Sequence, residues 1–167
     1  MAITRLNNNS VTSVSALPNL ASLPSGIPTG KVGQVVAGSS AGVVTVTTTS
    51  YTTICTVNIT PTATSSKILL IGTIGEPDFF TGQLNGRFFV GSTEISSSEE
   101  KVISEMGRGL SNTGSETHRG NITQSILHSP NTTSQVTYTI KIKCNQSGSV
   151  RAGNGGSNTI IAQEILA

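Results

Sequence analysis

Regular alternation of apolar and polar residues is the strongest pattern along this chain. Between Val136 and Cys144, an apolar residue at every second position alternates with Thr or Lys. Successive side chains of a β-strand point to opposite faces, so this pattern predicts a strand with one buried face and one solvent-exposed face. The same alternation predicts a half-buried strand over residues 55–59, which Pro61 closes.

Residues 67–74 (KILLIGTI) differ because they are apolar on both faces. This pattern is typical of a central strand between two packed layers or between subunits. The remaining strand signals lie at residues 32–36, 43–51, 87–90 with a hairpin turn at Gly91 and Ser92, 121–127, around 150, and 159–166. About nine strands without helix–strand alternation predict an all-β fold, an antiparallel β-sandwich of the jelly-roll type.

The first 30 residues form a separate region with three of the six prolines. Their apolar residues are spaced by three: Val11, Val14, Leu17, Leu20 and Leu23. An amphipathic helix alternates spacings of three and four, and proline breaks helices, so we expect an extended, polyproline-like path. The alternative is a disordered, low-complexity leader. We therefore divide the chain into an attachment and oligomerisation arm (residues 1–30) and a β-sandwich knob (31–167).

A second irregular region covers residues 96–120, which carry much of the charge of the protein together with many serines and glycines. We interpret it as a long exposed excursion with at most one short helix or strand, around residues 102–106.

The composition fits a β-rich structural protein. Thr (24), Ser (23), Asn (12) and Gly (18) make up 77 of the 167 residues, and only 11% are charged. The net charge is +2 and the basic residues are scattered, so nucleic-acid binding is not expected. No apolar run approaches the roughly 20 residues that span a bilayer, and the amino terminus lacks the apolar core of a signal peptide. We expect synthesis in a cytoplasm and no membrane partner.

Candidate chemistry is scarce. Cys55 and Cys144 occupy apolar positions of predicted strands, so we expect buried thiols, with a cross-strand disulfide as the alternative. His118 and His128 lack further ligands at metal-binding spacing and are expected to be exposed. Glu164 lies on an apolar alternation; a sheet-edge or solvent-side glutamate is expected, with a buried interface or catalytic acid as the alternative.

No phosphate loop, nucleophile elbow or placed pair of carboxylates is recognisable in the sequence. We therefore expect no enzymatic activity, no metal and no cofactor. Phe79 and Phe80, after a Pro-Asp turn, are expected in a loop, either as an exposed pair that contacts a ligand or as an anchor folded inward.

Five segments resemble a β-sandwich domain of fibre and virion-surface proteins of tailed bacteriophages, including those of aquatic bacteria. They are GKVGQVV from Gly30, TTTSYTTICTVNITPTATSSKILLIGTI from Thr47, GSTEI from Gly91, LHSPNTTSQVTYTIKIKC from Leu127, and the terminal NTIIAQEILA. The most specific piece is ITPTATSSKILL, and the opening ITRLNNNSVTSVSALPNL is similar to the leaders of the same proteins. Residues 96–120 do not match.

The resemblance implies a non-catalytic virion component that is commonly trimeric. Because the chain is little more than the domain and its arm, we expect a head decoration, cement or short head-fibre protein that assembles as a homotrimer on the major capsid protein. The alternative is a tail-fibre tip or receptor-binding protein that contacts host glycans. A carbohydrate-binding module or an unrelated structural protein is a third interpretation.

Overall fold

The computed structural model describes residues 31–40, 42–79, 84–96, 116–117, 120–144 and 148–166. Regular secondary structure in these ranges consists of twelve β-strands. They are β1 (Lys31–Ser40), β2 (Val44–Val46), β3 (Thr52–Ile59), β4 (Lys67–Ile74), β5 (Asp78–Phe79), β6 (Leu84–Val90), β7 (Thr93–Glu94), β8 (Glu116–Thr117), β9 (Ile122–His128), β10 (Val136–Cys144), β11 (Val150–Ala152) and β12 (Asn158–Leu166).

Eight of these strands form two antiparallel sheets of four. The first sheet has the order β1, β12, β4, β9, and the second sheet has the order β3, β10, β6, β7. The outermost strands in chain order, β1 and β12, pair with each other, and the next strands inward, β3 and β10, also pair. This nested pairing is that of a jelly roll, in which the chain alternates between two facing sheets. The all-β, antiparallel jelly-roll sandwich predicted from the sequence is confirmed.

A small third sheet, with the order β2, β11, β5, β8, was not predicted. It takes only residues 44–46 from the β-branched run, whereas the sequence predicted a strand continuing to Tyr51. Residues 48–50 bend instead, and the carbonyl of Thr48 accepts a hydrogen bond from the amide of Cys144 at the end of β10. The prediction was wrong here because the chain is passing from the third sheet to the second.

The core lies between the first and second sheets. Its largest side chains are Tyr138 and Phe88 from the second sheet, which face Ile68, Leu70 and other apolar residues of the first. Full burial of one such aliphatic side chain stabilises the fold by roughly 1.5–3 kcal/mol. The inward-facing residues of β4 and β12 are accordingly inaccessible to solvent.

Two glycines are required by close approaches across this sandwich. A β-carbon at Gly72 in β4 would stand 2.7 Å from the ring of Phe88 and 2.7 Å from Cδ1 of Ile140. A β-carbon at Gly38 in β1 would overlap the carbonyl oxygen of Thr56 in β3. Glycine therefore allows the second sheet to pack directly against the backbone of the first at both places.

The clearest sequence signals located their strands correctly. Strands β4 and β10 have the predicted bounds, and β6 and β7 form the predicted hairpin around Gly91 and Ser92. Thr139, predicted to face solvent, is instead only 8% exposed. Its cross-strand neighbour on that face is Phe89, whose ring is itself buried, so an aromatic side chain replaces solvent at this point of the strand.

The predicted arm, residues 1–30, lies outside the described residues, and so does most of the excursion at 96–120, including residues 102–106. The division into arm and knob stays a prediction. In the described part of the chain, no helix is long and apolar enough to cross a membrane.

Candidate assembly surface

The outer face of the first sheet changes from apolar to polar along its strands. Inter-strand pairing places one row of side chains across all four strands at Val35, Gln163, Leu69 and Leu127. The adjacent row toward the start of β1 contains Val32 and Ile165. The adjacent row toward the end of β1 contains Ile161 and Ile71. We call Val32, Val35, Leu69, Ile71, Leu127, Ile161 and Ile165 the apolar patch.

The apolar patch is open to solvent. Val32 is 50% exposed, Val35 57% and Leu127 56%, and these are three of the four large hydrophobic residues that are strongly exposed in the described part of the chain. The other patch residues are half-buried. An exposed cluster of this kind marks an interaction site more often than an isolated surface leucine does.

The far end of the same face is polar. Its row consists of Ser39, Thr159, Thr73 and Thr123. The hydroxyl groups of Thr73 and Thr123 are hydrogen-bonded at 2.9 Å. The contrast between the two ends argues that the apolar end has a specific use, because a sheet face that needs only solubility can carry Ser and Thr throughout.

The edge of the first sheet beside the patch is held by a buried carboxylate. Glu164 in β12 is inaccessible to solvent, which corrects the expectation of a solvent-side glutamate. Its Oε1 accepts hydrogen bonds from the backbone amide of Thr62 at 2.7 Å and from the Thr62 hydroxyl at 2.8 Å. Its Oε2 accepts one from Nε2 of Gln34 in β1 at 2.9 Å. The carboxylate thus joins β12, β1 and the turn after β3.

The charge state of Glu164 follows from these contacts. Burial on its own would raise the pKa of the carboxyl, but the polar contacts with Gln34, Ser66 and Thr62 outweigh it. Together they lower the pKa from its ordinary value of 4.5 to about 2. A carboxylate that is held ionised and surrounded by donors is suited to positioning strands and poorly suited to proton transfer near neutral pH.

The outer face of the second sheet carries cations and aromatic rings in mutual contact. Nζ of Lys141 lies 4.5 Å from the centroid of the Phe89 ring, and Nζ of Lys143 lies 4.7 Å from that of Tyr51. The two rings meet edge to face at 5.0 Å. Phe89 is only 6% exposed and Tyr51 is half-buried, and a lysine ammonium group lies over each ring.

His128 was expected to be exposed, but it is half-buried at the end of β9. Its Nδ1 is hydrogen-bonded to the hydroxyl of Tyr138 at 2.9 Å, and the two rings meet edge to face. Burial lowers the pKa of His128 and raises that of Tyr138 to about 12, so both groups are neutral near pH 7. The pair ties the first sheet to the second.

Two further carboxylates are engaged by neighbours. Asp78, only 3% exposed, accepts a hydrogen bond from the side-chain amide of Asn154. Glu94 forms an ion pair with Arg87, in which Nε and Oε1 are 2.8 Å apart. No group of three or more His, Cys, Asp or Glu side chains is arranged to hold a metal among the residues that the structure describes.

The two cysteines are buried, as predicted. In the pairing of β3 with β10, Cys55 stands opposite Ile140, four residues from Cys144. The cross-strand disulfide considered above therefore does not fit the register. The Cys55 thiol donates to the carbonyl of Gly38 at 3.3 Å, which adds a link between β3 and β1.

The residues singled out in the sequence are not brought together in the described part of the structure. The backbone of Phe79 forms β5, opposite Val150 and Glu116, rather than a loop. Phe80 and the predicted interface residues of the arm lie outside the described residues: Val11, Val14, Leu17, Leu20 and Leu23. The apolar patch was missed, although the two-sided apolar pattern of residues 67–74 was a signal for part of it.

No protein-family model and no curated protein matches the sequence. Among solved structures, the chain is similar to the VP2 subviral particle of infectious bursal disease virus, with a TM-score of 0.36 and 16% sequence identity. The match covers 80% of this chain and spans 38% of the length of that one.

Proposed function

We propose that this protein is a structural component of a bacteriophage virion, a head decoration, cement or short head-fibre protein that assembles as a homotrimer on the capsid exterior. The observation that carries the proposal is that the five segments resembling phage surface domains supply strands of both large sheets. The jelly roll by itself does not decide between functions, because capsid proteins, lectins and enzymes share it.

The Glu164 contacts strengthen this argument. Gln34, Thr62 and Glu164 come from three different segments of the resemblance, and their side chains meet at one buried point. Three of the resembling segments therefore meet in one buried contact of the fold.

We also propose that the protein is not an enzyme. Among the described carboxylates, those of Asp78, Glu94 and Glu164 are each engaged in a hydrogen bond or an ion pair. The half-buried histidine is paired with a tyrosine in the sandwich. These contacts support structural roles for the groups that hydrolytic chemistry would otherwise use.

The test is to locate the protein on particles by electron microscopy with a labelled antibody, and to add purified protein to particles that lack it. We expect label on the head and greater resistance of the capsid to heat or osmotic shock. Label at the tail together with adsorption of the purified protein to host cells would contradict the proposal and support the receptor-binding alternative.

A matched truncation tests the role of the arm. A chain lacking residues 1–28 is compared with the full-length chain for oligomeric state, by sedimentation, and for incorporation into particles. We expect the truncated knob to fold and to lose incorporation. Full incorporation of the truncated chain would show that the arm does not attach the protein.

A further inference from the structure

The apolar patch lies at the end of the first sheet where the chain enters it. Lys31 is the first residue of β1 and pairs with Leu166, next to the row that contains Val32 and Ile165. The 30 residues before Lys31 therefore join the knob beside the patch and far from the polar row at Ser39. The exposed apolar surface and the apolar arm are thus neighbours along the chain.

The electrostatic character of the patch favours an uncharged apolar occupant. Lys67, at the end of β4, is the one charged side chain that the described strands place on this outer face. Lys67 lies in the row of Val32 and Ile165, and Gln163 and Ser125 are the polar residues of the other two patch rows. The arm segment from Val11 to Leu23 is uncharged as well, because its polar positions hold Thr, Ser, Asn and Pro together with Ala.

The dimensions of the patch favour an extended segment over a second flat knob. Four strands about 4.8 Å apart and three rows about 6.7 Å apart define a patch of roughly 14 Å by 13 Å. Such a patch falls well below the roughly 800 Å² that each partner buries in a stable protein interface. In a polyproline-like path, apolar residues spaced by three recur about every 9 Å, so two or three of them fit across it.

The length of the arm favours a neighbouring copy over the same chain. Residues 11–23 span roughly 37 Å at about 3.1 Å per residue, about twice the diagonal of one patch. An arm folded back on its own knob would leave some of its apolar residues uncovered. The seven residues between Leu23 and Lys31 provide roughly 25 Å of reach, which exceeds the diagonal of one patch, so an extended arm carries residues 17–23 past its own patch to that of another copy.

We propose that residues 17–23 of one copy pack on the apolar patch of a neighbouring copy, so that exchanged arms hold the oligomer together. Leu20 lies at the centre of this segment and contacts the row that contains Leu69 and Leu127. This inference rests on the proposed assembly of several copies, but it does not depend on where in a virion they assemble.

Disulfide trapping between two full-length variants tests the contact. Leu20→Cys protein is mixed with Leu127→Cys protein under mild oxidation, and linked dimers are resolved on a non-reducing gel. The native cysteines are buried and do not interfere. The matched control pairs Leu20→Cys with Ser39→Cys, which lies at the exposed polar end of the same face.

We expect the Leu127→Cys mixture to yield at least about tenfold more linked heterodimer than the control, since the effective concentration of neighbouring thiols is far higher than that of free ones. Equal yields would overturn the proposal. So would a double variant, Leu20→Cys with Leu127→Cys, that closes a disulfide only within single chains.

A charge substitution provides a second measurement. Val35→Asp places a carboxylate in the patch and should weaken oligomerisation roughly tenfold or more, because a charge would have to be buried against apolar groups. Ser39→Asp, on the same strand and face, should not. Because both positions are exposed, the folded knob tolerates either change, which circular dichroism verifies. Equal oligomerisation of the two variants would overturn the proposal.

Particle incorporation is scored separately in both experiments. Cross-linked oligomers that never join particles would contradict the proposed virion role while supporting the arm exchange. Incorporation without any trapped contact would overturn the arm exchange and leave the virion role standing.

Discussion

The side-chain amide of Gln34 in β1 donates a hydrogen bond of 2.9 Å to the buried carboxylate of Glu164 in β12. The two residues are 130 positions apart in the chain, and their contact fixes the edge strand from which the arm departs. Thr62 donates to the other oxygen of the same carboxylate. Loss of the Glu164 side chain would therefore remove the contacts that join β12, β1 and the turn after β3.

The first prediction concerns Glu164→Gln. The substitution keeps the shape of the side chain but replaces one acceptor oxygen with a donor that faces other donors. Leaving buried hydrogen-bonding groups unpaired costs roughly 1–3 kcal/mol, so the free energy of unfolding in urea should fall by about that amount. Glu94→Gln removes a partly exposed ion pair and should cost under about 1 kcal/mol. Similar losses in both variants would contradict the stabilising role of the hydrogen bonds to Glu164.

The same carboxylate predicts how stability depends on pH. The folded pKa of Glu164, about 2, lies below its ordinary value of 4.5, so the unfolded chain binds a proton first as the pH falls. The contribution of Glu164 is therefore complete above about pH 5 and declines between about 4.5 and 2. Urea unfolding across this range should show a weaker pH dependence in Glu164→Gln than in the wild type. Parallel curves would show that the carboxylate is not selectively stabilised.

The second prediction concerns Gly72→Ala. The added methyl group would stand 2.7 Å from both the Phe88 ring and Ile140, and overpacking of this kind costs roughly 1–3 kcal/mol. Phe88→Leu in the same chain should recover part of that loss by making room. Gly120→Ala serves as the control, because a β-carbon there meets no atom within 4 Å. Because Gly→Ala lowers the conformational entropy of the unfolded chain, the control should not lose stability, and an equal loss in both variants would contradict the packing explanation.

The third prediction concerns Leu70→Ala in the central strand β4. Leu70 is inaccessible to solvent, so its truncation should cost roughly 2–5 kcal/mol through lost burial and the cavity left behind. Thr56→Ala, on the exposed side of β3, should stay within about 0.5 kcal/mol. Chemical denaturation measures both. Equal losses would refute the assignment of buried and exposed faces.

The fourth prediction concerns the pair of His128 and Tyr138. Because burial lowers the pKa of His128 below 6.5, the unfolded chain takes up a proton more readily than the folded one. Stability should thus decline as the pH falls below about 6.5, and an NMR titration of the ring should give a midpoint under that value. His128→Gln should remove the decline, whereas a titration midpoint at or above 6.5 would contradict the buried position.

Alternation was sufficient to predict the long strands, because a strand with one buried face imposes a period of two on the sequence. Residues 136–144 were located correctly for this reason, and residues 67–74 were located by a run that is apolar on both faces. The strands of the third sheet have two or three residues, too few to show any period, and they depend on pairing between distant segments. The jelly-roll class was predictable, but the partners of its short strands were not.

The polar residues show the limit of the same reasoning. Glu164 occupies an inward position of its alternation, but its residue type predicted the solvent side. What reverses that expectation is a set of donors from Gln34 and Thr62, which only the folded chain brings together. Thr139 likewise owes its burial to a neighbouring strand, through Phe89. The apolar patch combines residues of all four strands of the first sheet, so its extent depended on the register.

The hydrogen bond from the Cys55 thiol to Gly38 gives the chain a natural chemical probe of this edge. Burial raises the pKa of the thiol, and only the thiolate reacts with alkylating reagents, so labelling requires β1 to separate from β3. The rate of labelling thus reports how often the strand that carries the arm detaches. If assembly acts through β1, the rate of Cys55 labelling should differ between assembled and isolated protein. A slower rate in the assembly would mean that assembly holds β1 against β3, and a faster rate would mean that it pulls the two strands apart.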